Sequence, residues 1–169
     1  MKKGQVWVET VIYTLIALVL IGAVLAFVNP KVKEIQDKAV IEQSISMMQS
    51  LDAVITSIVQ GGAGNKRVID LGIKKGTFTI NGANDTVIFE LQSNYEFSQT
   101  GETINVGGIQ VLTKRLQNIN QITLTKNYSN YDLTYNGLNN SKLLTQATTP
   151  YRLVVENKGG KPVLDFVVS

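Results

Sequence analysis

The chain has 169 residues, with 16 Lys or Arg against 13 Asp or Glu, a net charge of +3, and neither Cys nor His. That length holds one modest domain plus an appendage, and the missing residue types exclude most zinc sites, thiol nucleophiles and any Ser–His–Asp arrangement. Lys2 and Lys3 supply two of the net charges at the extreme N-terminus. Without them no basic surface for nucleic acid remains.

Residues 1–4 form a short basic leader. Residues 5–60 read as one long helix, free of a Gly pair until Gly61-Gly62 and carrying Pro30 as its one proline. From 6 to 28 the helix is apolar all round, with Glu9 its only charge. At 1.5 Å per residue that segment spans roughly 34 Å, enough to cross the hydrocarbon core of a bilayer. Soluble core helices usually carry a shorter apolar run. Pro30 cannot bond the carbonyl four residues back, so it is expected to kink the junction.

Beyond Pro30 charges appear, interleaved with Val32, Ile35, Ile41, Ile45, Met48, Leu51, Ile55, Ile58 and Val59. Steps of three and four describe an amphipathic helix with one apolar stripe, expected to lie against the segment that follows. Gly61-Gly62-Ala63-Gly64 reads as a helix terminator and hinge.

Residues 61–169 are rich in β-branched residues, Asn, Thr and Gly. Strands are expected at 68–73, 77–80, 86–91, 104–106, 109–112, 119–125, 132–135, 151–156 and 163–168. Lys74-Lys75-Gly76, the run 81–85 and Gly107-Gly108 between them carry turn chemistry. The Asn-rich stretch 127–141 is the longest expected loop, and the last two strands flank the run 157–161 as a hairpin. The predicted fold class is α+β: a long N-terminal helix followed by an antiparallel, sandwich-like β domain.

The strongest functional signal is the segment Lys2-Lys3-Gly4-Gln5-Val6-Trp7-Val8-Glu9-Thr10. Basic residues before an apolar span hold the N-terminus in the cytoplasm and send the following domain out. An ordinary secretory signal has a shorter apolar region. Cleavage after Ala26, the one tolerable site of that kind, would strip the amphipathic half of its apolar partner half.

A basic leader ending in Gly, an apolar helix beyond it and Glu five residues past the Gly resemble the type IV pilins. The segment is most similar to archaeal pilins with a class III signal peptide, though Trp7 stands where those often carry Ser. The resemblance covers the helix, residues 5–60. It implies cleavage between Gly4 and Gln5 by a prepilin peptidase, which makes Glu9 the fifth mature residue. It also implies a structural subunit of a type IV pilus-like filament for surface attachment, built on an assembly platform from identical subunits. The precursor would sit in the cytoplasmic membrane with its N-terminus inside. The other readings are a minor pilin or archaellum-type subunit, and a single-pass anchored binding domain that never polymerises.

Glu9 fits the filament reading on physical grounds. A carboxylate deep in a membrane helix costs roughly 2.5–3.5 kcal/mol and usually has a partner. No Lys or Arg occurs between Gln5 and Asn29. Cleavage after Gly4 would expose the α-amine of Gln5, cationic at neutral pH. The amine of one subunit against Glu9 of its neighbour would neutralise both and set axial register, because buried ion pairs specify arrangement better than they stabilise. The alternative places Glu9 at the positive end of the helix dipole, wetted by headgroups.

Trp7 and Tyr13 suit interfacial anchoring or packing, and Gly22 with Ala17, Ala23 and Ala26 would let helices approach closely. Asn84, Asn127 and Asn139 open N-glycosylation sequons, of which roughly two are expected by chance in so Asn-rich a chain. The carboxylates of the β region are scattered in sequence, so neither a catalytic pair, a metal site nor a cofactor is expected.

Overall fold

Helix α1 spans Lys2–Gln60 without interruption, running through Pro30. This computed structural model describes the backbone of residues 2–168 and the side chains of residues 7–168. The chain divides into two compact units, Met1–Gln36 and Asp37–Ser169. The second unit therefore begins inside α1, not at its C-terminus.

Within Asp37–Ser169 the helix shows the stripe that its sequence spacing demands. Ile41, Ile45, Met48, Leu51, Ile55 and Ile58 are all buried and join one hydrophobic core with the strands. Their steps of four, three, three, four and three keep them on one face. The stripe is shorter than its sequence pattern, however. Val32 and Ile35 remain 42% and 69% exposed, because the step of six from Ile35 to Ile41 turns them off that face. The buried face instead takes in Asp37 and Ser44, four residues before and three after Ile41. The helix ends where Gly62 turns into the left-handed region (φ 82°) and its N–H bonds the Val59 carbonyl, a conformation glycine adopts at little cost.

Ten strands follow: β1 Lys66–Leu71, β2 Thr77–Asn81, β3 Thr86–Ser93, β4 Thr103–Val106, β5 Ile109–Leu116, β6 Ile119–Asn127, β7 Asp132–Tyr135, β8 Ser141–Thr145, β9 Tyr151–Asn157 and β10 Val163–Val168. They form a six-stranded sheet in the order β4-β5-β6-β3-β2-β8 and a four-stranded sheet in the order β1-β9-β10-β7. All pairings are antiparallel except β10 with β7. The fold is thus α+β, a long helix followed by a sandwich-like pair of sheets. Alternation drives the packing: in β3, Val87, Phe89 and Leu91 point into the core while their neighbours do not.

The strand β8 was not expected, and it starts at the last residue of the stretch read as the longest loop, Ser141. That stretch holds β7 as well, so the loop between the two runs only from 136 to 140. The β4–β5 hairpin turns on Gly107-Gly108, both at positive φ, with Val106 opposite Ile109. A two-residue hairpin of that hand requires both residues in the left-handed region.

Polar fastenings show how the helix runs along the six-stranded sheet. Asp37 accepts hydrogen bonds from the Asn94 backbone N–H (2.6 Å) and side-chain Nδ2 (2.8 Å), just past β3, and from Lys75, just before β2. Fifteen residues on, Asp52 pairs with Lys126 (2.8 Å) near the end of β6. Gln49 Nε2 donates to the Val106 carbonyl. The helix therefore enters at the sheet end where β3 finishes and leaves toward the end where β6 finishes.

Candidate functional site

Between Trp7 and Val28 every side chain is exposed. The run includes Trp7 at 74%, Tyr13 at 64% and Phe27 at 72%. Its most apolar 18-residue window has a mean hydropathy of 2.8 and is entirely unburied. By length and composition this helix can cross a membrane. A core helix of the same composition would be covered by its own chain, and this one is not. So large a contiguous apolar surface marks contact with lipid or with protein.

The few polar groups in the segment are bonded locally. Thr14 Oγ1 donates to the Thr10 carbonyl at 2.8 Å, which satisfies its hydroxyl inside the helix. Tyr13 Oη donates to Glu9 Oε1 at 3.2 Å, one turn away. The expectation that Glu9 lacks any partner in its own helix is therefore corrected: the helix holds no cation for it, but it holds a neutral donor at i+4, a spacing that places two residues on one face. Tyr13 supplies a hydrogen bond but no opposite charge, and among the described residues Glu9 makes no ion pair. Gly22 faces open space, with nothing within 4 Å of where a Cβ would stand. Pro30 removes the donor that the Ala26 carbonyl would otherwise receive.

The expected cleavage residues Gly4 and Gln5, and the Gln5 α-amine, lie outside the residues whose side chains are described. Their chemistry rests on the sequence.

In the second unit the carboxylates serve the fold. Asp165 accepts from Thr134 Oγ1 (2.9 Å) and the Gly137 N–H (2.7 Å), and Asp85 Oδ1 accepts from the Leu133 N–H (2.8 Å). Burial opposes ionisation of Asp37, but bonds from the Asn94 backbone and from Lys75 outweigh it and hold the carboxyl below its ordinary range. Among the described residues, no three His, Cys, Asp or Glu side chains gather as a metal site. Asn84, Asn127 and Asn139 are all exposed.

Comparison with protein-family models, with curated proteins and with solved structures gives no match to this chain.

Proposed function

We propose that this chain is the precursor of a type IV pilin-like subunit, trimmed between Gly4 and Gln5 and assembled with identical copies into an extracellular filament. The observation that carries the reading is the wholly uncovered apolar surface from Trp7 to Val28. Burying one large apolar side chain is worth about 1.5–3 kcal/mol. A surface of fifteen such residues must therefore be covered, first by lipid and, outside the membrane, by the same surface on other copies.

Glu9 favours the bundle as the final state. Lipid offers it no opposite charge, and Tyr13 offers only a neutral bond. A bundle of processed chains offers the Gln5 α-amine of a neighbour. The unit Asp37–Ser169, with its own core, would then be the part that meets the surroundings and makes attachment contacts.

Mass spectrometry of the N-terminus of the extracellular form tests this directly. The expected mature chain starts at Gln5. A chain starting at Met1 or Phe27 overturns the reading. A single-pass anchored domain keeps Met1–Gly4 and leaves the membrane only in detergent. Filaments sheared from cells contain the subunit in quantity if it is the major component and in trace if it is a minor one.

A further inference from the structure

Three sequons far apart in sequence meet at one end of the six-stranded sheet. Asn84-Asp85-Thr86 closes the β2–β3 turn, Asn127-Tyr128-Ser129 leaves β6, and Asn139-Asn140-Ser141 enters β8. The register aligns them: Asn81 lies opposite Thr86 and Ser141, and Thr86 lies opposite Asn127. The strand order β6-β3-β2-β8 separates them by three intervals. At about 4.8 Å each, all three turns fall within roughly 15 Å.

This is the end remote from Asp37, which bonds Asn94 where β3 finishes. That opposite end is also Asn-rich, with Asn94, Asn118 and Asn120, but none of them has Ser or Thr two positions on. The side chains differ too. Asn94 Nδ2 donates to Asp37, and Asn120 is buried and accepts from Arg115. Asn84, Asn127 and Asn139 are exposed, and among the described residues no hydrogen bond takes their Nδ2 groups. Chance accounts for the number of sequons; it does not favour their gathering at one end with free amides.

The turns that carry them are braced against each other. The Tyr128 N–H donates to the Asp85 carbonyl (2.8 Å), the Gly82 N–H to the Asn140 carbonyl (3.3 Å) and Ser141 Oγ to Asn81 Oδ1 (3.2 Å). Asn127 Oδ1 accepts from the Ser129 N–H (2.7 Å), which turns the sequon back on itself.

We propose that this end of the second unit is an N-glycosylated cap, carrying oligosaccharide on Asn84, Asn127 and Asn139. The donor class is an oligosaccharide linked through its anomeric carbon to a lipid phosphate or diphosphate. The Asn Nδ2 loses one proton and forms a C–N bond to that carbon. The anomeric C–O bond breaks, and the lipid phosphate departs with the electron pair. The proposal rests on export of this unit, as the filament reading requires.

The test uses the extracellular protein recovered from the cells that make it. Intact mass and peptide mapping are compared for the wild type and for Thr86→Ala, Ser129→Ala and Ser141→Ala, with Asn84→Gln as a second route to the first site because Thr86 is part of β3. The expected result is a sugar mass on at least two of the three Asn residues, removed one site at a time by the matching variants. An unmodified chain, or sugar at one site or none, overturns the cap. A chain that starts at Gln5 without sugar rejects the cap alone, whereas sugar on a chain that still starts at Met1 rejects the filament reading alone.

Discussion

Asp37 takes three hydrogen bonds from groups brought together by the fold, and it is almost fully buried. Its lowered pKa makes stability depend on pH with a definite sign. The stabilisation is fully present above the unfolded-state value of about 4 and is lost as pH falls through the folded value. Asp37→Asn should cost about 1–3 kcal/mol near neutrality, since it leaves donors of Lys75 and Asn94 poorly met. It should also flatten the acid limb of the stability curve. Thermal unfolding of the full chain in detergent across pH checks this; an unchanged acid slope would remove Asp37 as its source. Glu9 and Tyr13 separate in a similar way. Glu9→Ala should be exported and trimmed but assemble poorly, whereas Tyr13→Phe, which removes only the neutral bond, should keep near-normal filament yield. Equal loss in both variants would show that the local hydrogen bond matters and the charge does not. Glu9 was legible in the sequence as the one charge in an apolar run. Its bond to Tyr13 was not, because a phenol in such a run reads first as an aromatic.

The two parts of α1 answer to different surroundings, and substitution should separate them. Ile55 is fully buried in the core, so Ile55→Ala should destabilise the second unit by about 2–5 kcal/mol through lost burial and a residual cavity. Ile16 is 48% exposed, and Ile16→Ala should leave that unfolding transition unmoved. Denaturant unfolding of each full-length variant in detergent measures both; a matched loss in the two would contradict the division at Asp37. Periodicity made these elements legible wherever it was long. The stripe from Ile41 to Ile58 shows the helical spacing five times over, and β3 alternates across its eight residues and β6 across its first seven. It failed where patterns were short or skipped a step. Within β8, Ser-Lys-Leu-Leu-Thr, only Leu144 is buried, and its pairing with β2 makes it a strand. Val32 and Ile35 look like part of the stripe in an apolar list, but the step of six from Ile35 to Ile41 takes them off its face.

At the scale of the molecule, the order of helix first and strands after made an α+β class legible. The pairing of distant strands was not, because no local signal encodes it. Two cases stand out: β1 with β9, and the parallel joining of β7 to β10 in an otherwise antiparallel pair of sheets. The β9–β10 hairpin occupies the middle of the four-stranded sheet, and β1 and β7 each find their sheet partner in it. A chain ending at Pro150 should therefore lose cooperative unfolding and become protease-sensitive throughout 37–150, as limited digestion would show; a resistant fragment of that span would refute this.

That placement also dictates a timetable. On the ribosome, Ile41 through Ile58 emerge early, while Leu153, Val155, Leu164 and Phe166, which complete the same core, are translated near the end. At ordinary elongation rates the interval is on the order of ten seconds. Until β9 and β10 appear, the nascent chain carries a greasy core that is only partly closed, so a stall before β9 would yield a sticky fragment in place of a shorter folded one.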